Sequence, residues 1–542
     1  MYSFKRFTNN IRGDLFGGVT AAIVALPLAL AFGISSGAGA VSGLYGAVIV
    51  GFCAAIFGGT ATQISGPTGP MTVVMTAMIT HYLAVYPESG LVLAFTTVFL
   101  GGCLQVVFGI LKLGKYIIMV PYPVISGFMT GIGVIIILLE LGPVLGFPIE
   151  GSVVGAVLLI PKQLSNINYA ALITASLTLI IVLFWRGKIN RIFPAPLVAL
   201  IVVTVIAQLL FANSDIQRIG QIPSSLPSFH FPVIRAELLE SMFINALMLA
   251  VLGSIDSLLT SLVADNVTAT QHNSDKELIG QGIGNATAGL FGGLPGAGAT
   301  MRTMVNIRAG GSGPLSGATH AGVLLAVALG LGFLFESIPV AVLAGILIKV
   351  GIDIIDWPFL KRLHRLPKFP VALMTVVFLL TVFVDLITAV FVGVFVKNLV
   401  TISKLSDLEL GNVIISDGTN DQEGLRKKER KALEQYAGGA VLFRITGPVS
   451  YAVGRGLSLR FEQFKNRKLL LVDIAQASII GISTTMVIEE LIRRAISQGT
   501  HIKLVGLHPG THHELKTLGL ETLVGSENCC DSFAEALAGF KP

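Results

Sequence analysis

Charge is what this chain has least of. Asp, Glu, Lys and Arg together make up 13% of its 542 residues, against 53% hydrophobic residues and a mean hydropathy of +0.79. So little charge cannot cover a water-soluble surface of this size, which excludes folding in water as a whole; residues 1–405 read as a polytopic helical membrane domain. Cysteine is scarce as well. Of the four, Cys53 and Cys103 lie in apolar segments and behave as small hydrophobes, while the adjacent Cys529 and Cys530 fall in a polar, cytosolic stretch, so no disulfide framework is implied. A cleavable leader is missing too: Met1 to Asp14 is basic and polar, and the apolar run after it offers no small-residue cleavage site, so the first helix is expected to be retained. The net charge of +6 reflects a bias to one side of the membrane and points to no nucleic-acid partner.

About fourteen apolar stretches can be drawn, near 15–34, 41–58, 68–82, 90–111, 118–142, 170–185, 195–212, 242–263, 277–292, 300–307, 317–335, 338–353, 370–385 and 387–403. The third and tenth are too short to span alone, as expected of helices that begin at the bilayer midplane after a broken backbone. With the N-terminus inside, the loops carrying Lys112/Lys115, Arg186/Lys188/Arg191, Lys276, Arg308 and Lys361/Arg362/Arg365/Lys368 all fall on the cytoplasmic side. Lys162, Arg218 and Arg235 are the exceptions. An even number of spans then puts both termini in the cytoplasm.

Glycine, by contrast, is abundant, with 61 residues, and its placement is repeated. Ala54-Ala55-Ile56-Phe57-Gly58-Gly59 is followed by Ser65-Gly66-Pro67-Thr68-Gly69-Pro70; about 230 residues later Ala288-Gly289-Leu290-Phe291-Gly292-Gly293 is followed by Pro295-Gly296-Ala297-Gly298-Ala299-Thr300. In each copy an apolar run ends, a Gly/Pro stretch interrupts the helix, and a short Thr-led helical stretch follows. Paired interruptions at corresponding places in two halves mark the binding site of a transporter. A helix that starts at the midplane presents unpaired N–H groups and about half a positive charge, so two such starts make an anion site without a lysine. Thr68 and Thr300 add hydroxyls there, and Gly69, Gly298 and Ala299 let backbone approach the ligand.

Asp256 is the second anchor. It lies within the apolar run Leu247–Val263, where an ionised Asp costs about 3 kcal/mol, so it should face a cavity and have a partner. Thr260, one turn on, shares its helix face. A carboxylate, a hydroxyl and the carbonyls of an unwound stretch suit a small hard cation, while a proton on Asp256 remains an equal alternative on the residues alone. Glu140 and Asp385, near the outer ends of spans, are expected to reach the interface. Arg302 either assists anion attraction or faces the cytoplasm, and His320 is expected to be a packed or loop histidine. Gly310-Gly311-Ser312-Gly313 with His320 imitates a nucleophilic-serine motif, but Ser312 precedes Pro314 in a turn and no enzyme is read from it.

Beyond residue 405 the composition changes. Residues 406–439 read as a charged linker, and 440–542 as a small α/β domain with strands at Ala440–Ile445, Leu469–Val472 and His501–Leu507 and helices at Leu457–Phe464 and Thr484–Ile496. His508, His512 and His513, beside Pro509-Gly510, mark a helix start rather than a metal site.

Gly13-Asp14-Leu15-Phe16-Gly17-Gly18-Val19-Thr20-Ala21, Ser42-Gly43-Leu44-Tyr45-Gly46, the run from Pro121 to Gly131, and Pro194-Ala195-Pro196-Leu197 together resemble the SulP anion-transporter family, and the C-terminal module resembles that family's STAS domain. The resemblance covers nearly the whole chain. It implies a seven-plus-seven inverted repeat with two half-helices, in which a core carries substrate past a gate in an elevator-type motion. Ala25 to Gly33 and Pro67-Thr68-Gly69-Pro70-Met71-Thr72 are most similar to the family's sodium-dependent bicarbonate transporters. Where sulfate-type members have a Gln after the first-helix proline and a Ser-Arg or Ser-Lys after the second helix, Leu28 and Gly59-Thr60-Ala61-Thr62 stand here. The resemblance thus implies a secondary transporter importing bicarbonate with sodium across a bacterial cytoplasmic membrane, with sodium held by Asp256, Thr260, Gly298, Ala299 and Thr300. It also implies a homodimer. A proton-coupled sulfate or small-dicarboxylate transporter, or a passive anion channel, is the alternative. The stretch Asp473 to Thr484 is similar to a phosphoacceptor segment of anti-sigma antagonists, but Gly481 and Ile482 replace its Asp and Ser, so a docking or dimerising role is expected instead.

Overall fold

The computed structural model describes residues 10–117, 120–185, 187, 193–211, 214–220, 226–384, 386–417, 425–436, 439–449, 456–457, 467–480, 482–506 and 519–538. The expected helix Leu457–Phe464, Asp385, Gly481, and His508, His512 and His513 fall wholly or mostly outside them.

From the N-terminus the chain forms α1 (Ile11–Ser35), α2 (Ala40–Phe57), a two-residue strand β1 (Ser65–Gly66), α3 (Gly69–Val85), α4 (Gly90–Ile110), α5 (Tyr122–Leu145), α6 (Val153–Leu164), α7 (Tyr169–Phe184) and α8 (Ala195–Leu210). The second half follows with α9 (Leu239–Thr268), α10 (Ser274–Leu290), β2 (Ala297–Gly298), α11 (Thr300–Arg308), α12 (Pro314–Gly330), α13 (Val340–Ile354), α14 (Lys368–Phe383) and α15 (Leu386–Leu410). Each of the fourteen apolar stretches coincides with one of these helices. The extra one is α6, bent 120° from α7; its 12 residues are too few to cross a membrane and Lys162 near its end hid it.

Local chemistry sets the ends. Asn10 accepts from Gly13 N (3.2 Å) to cap α1, and Asn273 accepts from Lys276 N (3.0 Å) to cap α10. Prolines at the first or second helical positions open α3, α5, α8 and α12. Among the described residues six helices are long and apolar enough to cross a membrane alone, or seven spans if α6 and α7 are one. By contrast α11 has nine residues.

The helices pack in two groups. In one, α10 lies on α4 and α2, α12 on α2 and α1, and α9 on α4, α3 and α11. In the other, α5 packs on α13 and α14, and α7 on α13 and α8. Small residues bring helices into backbone contact: a Cβ on Gly102 of α4 would lie 2.1 Å from Ala286 N of α10. The first group contains both broken segments.

The chain divides into two compact units, Met1–Val394 and Phe395–Pro542. In the second unit a five-stranded sheet runs β3 (Val413–Ser416), β4 (Ala440–Val449), β5 (Leu469–Ile480), β6 (His501–Val505) and β7 (Cys529–Cys530), with β3 antiparallel to β4 and the rest parallel. Helices α16 (Lys427–Glu434), α17 (Ile482–Ser497), α18 (Leu520–Val524) and α19 (Phe533–Ala538) complete it. Alternation sorts the faces: Val441, Phe443 and Ile445 join the core under α17, and Ala440 and Leu442 the core with Leu433 of α16 and Leu537 of α19. The stretch 406–439 contributes β3 and α16 to this module.

Candidate functional site

The two interruptions meet. Ser65 pairs with Gly298 and Gly66 with Ala297 in an antiparallel two-residue ladder, the arrangement that a two-fold relation between equivalent segments produces. The ladder is extended at its edges, where Ala299 N donates to Ile64 O (2.9 Å) and Ile64 N to Thr303 Oγ1 (3.0 Å). Short strands are the means by which unwound backbone satisfies its own polar groups inside an apolar bundle.

Immediately after each strand a helix begins. The first turn of α3 offers the N–H groups of Gly69 and Met71, since Pro70 has none, and that of α11 those of Thr300 to Arg302; these precede the first intrahelical bonds, from Thr72 N to Thr68 O and Thr303 N to Ala299 O. Thr68, the residue before α3, makes no capping bond. Its hydroxyl is buried and interacts with the Asp256 carboxylate, and among the described residues it has no other hydrogen-bond partner. The start of α3 also faces the other helix group: a Cβ on Gly69 would lie 2.8 Å from both Ile136 of α5 and Ile354 of α13.

All of the residues expected to hold a cation lie together. The Thr260 hydroxyl donates to Gly298 O (2.9 Å) and bonds the Thr300 hydroxyl (2.8 Å). Asp256 stands one turn earlier on the same face of α9 and is partly exposed, as Ala299 is, while Thr300 is exposed. Arg302 is buried, 2% exposed, and its Nη2 donates to Pro67 O (2.7 Å), reaching from the second interruption to the first. Among the described residues no three His, Cys, Asp or Glu side chains form a metal-type cluster. Hydroxyl, carboxylate and carbonyl oxygens instead make up the donor set, of the kind a small hard cation takes.

Behind this surface is a polar network that the sequence reading missed. Buried Glu277 accepts from Gly59 N (2.8 Å), Thr60 N (2.9 Å), Gln63 Nε2 (2.8 Å) and Gln281 Nε2 (2.8 Å), capping the end of the first broken segment. Gln281 also donates to Ser65 Oγ (2.6 Å), Ser261 to Gln63 Oε1 (3.0 Å), and Asn285 exchanges bonds with Gly296 (2.9 and 2.7 Å). Glu277, Gln281 and Asn285 recur every four residues, so one face of α10 is a polar stripe turned toward both interruptions. That spacing was the available signal. A Cβ on Gly298 would come 2.2 Å from Gln63 Nε2, so the network also fixes how closely the second strand approaches.

Other expectations meet a different outcome. Glu140 does not reach the interface: it is 1% exposed and accepts from Ser35 Oγ (2.7 Å), because the end of α1 packs over it. Arg302 is buried against the first interruption and is not exposed as a cytoplasm-facing side chain would be. His320 is a packed histidine within α12, with neither ring nitrogen hydrogen-bonded. Ser312 Oγ instead accepts from Asn10 (3.0 Å), so no Ser–His pair forms. A cavity of about 320 Å³ opens beside Asn10, Asp14, Thr60, Asp265 and His272. None of the expected anion or cation residues lines it.

Residues 11–377 match the Sulfate permease family and residues 432–536 the STAS domain. The chain is 47% identical over 533 residues to the bicarbonate transporter BicA of Picosynechococcus sp., covering 97% of this chain and 94% of that one. It is 32% identical to the putative sulfate transporter YvdB of Bacillus subtilis, covering 98% of each. The solved transmembrane domain of a cyanobacterial BicA superposes with a TM-score of 0.67 at 55% identity, covering 70% of this chain and 97% of that one. Murine Solute Carrier 26 family member A9, solved inward-facing, shares the fold at 20% identity with a TM-score of 0.81, over 99% of this chain and 92% of that one. With its paired interruptions, its half-helices and its C-terminal sheet module, the chain belongs to the sulfate permease family and has that family's transmembrane fold followed by a STAS domain.

Proposed function

We propose that this protein is a secondary active transporter that imports bicarbonate together with sodium across a bacterial cytoplasmic membrane. The observation that carries the reading is the ladder between the two interruptions, which sets the starts of α3 and α11 beside Asp256, Thr260 and Thr300. Bicarbonate is received by the N–H groups and hydroxyls around Thr68, Gly69, Gly298, Ala299 and Thr300, where helix starts favour negative charge. Sodium is received by Asp256, Thr260, the carbonyls of Gly298 and Ala299, and Thr300. The 47% identity to BicA supports this choice of anion. The likeness to YvdB keeps sulfate as the competing substrate.

For the mechanism, the helix group holding both interruptions is the moving core and the group around α5, α13 and α14 is the gate, with Gly69 at their contact. Residues 1–405 perform transport, and the sheet module, to which 406–439 add β3 and α16, is cytosolic and supports a homodimer, with both termini in the cytoplasm. Uptake of labelled bicarbonate, sulfate and succinate into proteoliposomes, each with and without a sodium gradient, tests the reading. Saturable bicarbonate uptake stimulated by sodium supports it. Preference for sulfate or succinate driven by protons overturns it in favour of the other symporter, and ohmic anion currents in favour of a channel.

A further inference from the structure

Glu140 stands at the contact between the two helix groups. It follows the apolar residues 135–139 on α5 and lies one turn beyond Ile136, the residue that meets the start of α3 at Gly69. It is 1% exposed, and among the described residues its hydrogen-bond partner is Ser35 at the end of α1, whose hydroxyl donates to Oε1 (2.7 Å). Ser35 belongs to the other helix group: its carbonyl accepts from Thr76 Oγ1 of α3 (3.0 Å). Further along α3, a Cβ on Gly151, in the connection that follows α5, would lie 2.2 Å from the Thr80 side chain. The first group is thus held against the second at Gly69 on Ile136, at Ser35 on Glu140 and at Thr80 on Gly151, with the carboxylate shut into the middle of the contact.

Resting on the division into a moving core and a gate above, we propose that Glu140 and Ser35 form a polar latch that sets the balance between the arrangement seen here and one in which this outer contact is open. A hydrogen bond of 2.7 Å is lost once its oxygens separate beyond about 3.5 Å, so a slide of the core along the gate breaks it. The bond therefore exists at one end of the cycle. A leucine in place of Glu140 would close the contact as well, but opening it would then expose apolar surface without compensation. A carboxylate is costly to bury and regains water when the contact opens. The Ser35 hydroxyl offsets part of that burial cost. The carboxylate thus favours opening and the hydroxyl favours closure, and together they keep both arrangements accessible. Glu140 is a positioning residue, acting through the packing of the core against the gate.

The two members of the pair should therefore act in opposite directions. Ser35→Ala leaves a buried carboxylate without its donor and should disfavour the closed contact about tenfold. Glu140→Leu removes the carboxylate, keeps an apolar seal and should favour the closed contact. The double variant should match Glu140→Leu, because the hydroxyl acts only through the carboxylate. Full-length protein carrying Thr80→Cys and Gly151→Cys reports the closed contact through the rate of disulfide formation, read by peptide mass spectrometry against each single-cysteine control. The external sodium needed for half-maximal bicarbonate uptake, measured without those cysteines, gives a second reading, since the open arrangement is the one that meets external sodium. Each variant is checked by its melting profile. Slower cross-linking with a lower half-saturating sodium in Ser35→Ala, and the reverse of both in Glu140→Leu, supports the proposal. Shifts in the same direction, no shift in folded variants, or a double variant in which the two effects add overturns it. Cross-linking needs no substrate, so a wild type without sodium-stimulated bicarbonate uptake would overturn the sodium–bicarbonate reading while the disulfide rates still decide the latch.

Discussion

Asp256, Thr260 and Thr68 each make a separable prediction. Asp256→Asn keeps size and hydrogen-bonding capacity, so the variant should fold and reach the membrane yet lose sodium stimulation of uptake; unchanged sodium dependence would remove Asp256 from the site. Thr260→Val deletes a hydroxyl that bonds both Gly298 O and Thr300. A net loss of about 1 kcal/mol should raise the half-saturating sodium concentration about fivefold, and a change confined to maximal rate would make Thr260 structural. Thr68→Val removes a hydroxyl at the start of α3 whose interaction in the protein is with Asp256; if it serves the anion, the change should weaken bicarbonate more than sodium. Equal loss of both would contradict that division. Asp256 and Thr68 were legible in the sequence because each breaks a local rule, an Asp in an apolar run and a Thr directly after a Gly/Pro interruption, and Thr260 because it lies one turn from Asp256. Arg302 was not resolved, since two residues past a helix start a side chain can turn inward or out and only packing decides.

Among the elements, the interrupted segments were visible through Gly and Pro, whereas the ladder between them was not, because pairing across more than two hundred residues leaves no local trace. The network behind the ladder could have been read from the spacing of Glu277, Gln281 and Asn285, but an apolar stretch drawn from 277 onward absorbed them. Gly298 ties the two levels together. Gly298→Ala would push its methyl into Gln63, which is held by Glu277 and Ser261, and overpacking of this kind costs about 1–3 kcal/mol. Sodium and bicarbonate affinities should fall together in that variant, because the second interruption serves both; loss of one alone, in paired titrations, would argue for separate sites. In the C-terminal module Arg444 is clamped by Asp473 (2.7 Å) and Glu429 (3.0 Å), joining β4 to β5 and α16. Burial alone would raise the Glu429 carboxyl, but the Arg444 bonds outweigh it and hold it below its usual value. Its contribution is thus present at neutral pH and fades as pH falls below about 4.5. Arg444→Met strands two partly or wholly buried carboxylates and should destabilise the module by about 3 kcal/mol, read as a lower melting temperature; an unchanged one would show that α16 docks without the ion pairs.

At the scale of the whole molecule, fourteen helices were traceable from composition and period, since a bilayer demands long apolar helices and leaves little else. The sorting of those helices into two packed groups was not traceable, because it depends on which small residues meet. The edge strand β3 was hidden inside a charged stretch because its four residues, three apolar and a serine, show no period until a sheet receives them. Both interruptions and Asp256 lie in the first unit, so chemistry and regulation should separate. A chain ending near residue 405 should still bind sodium and bicarbonate, transport more slowly and dimerise less, as measured by mass in detergent and by substrate binding; complete loss of binding in a folded truncation would assign the module to the site. In the proposed cycle a sodium gradient drives bicarbonate inward. Purified full-length protein in proteoliposomes, loaded with labelled bicarbonate at equal concentration on both sides, should accumulate it above equilibrium under an inward sodium gradient and release it when the gradient is reversed; bicarbonate that stays at equilibrium under both gradients would contradict the account.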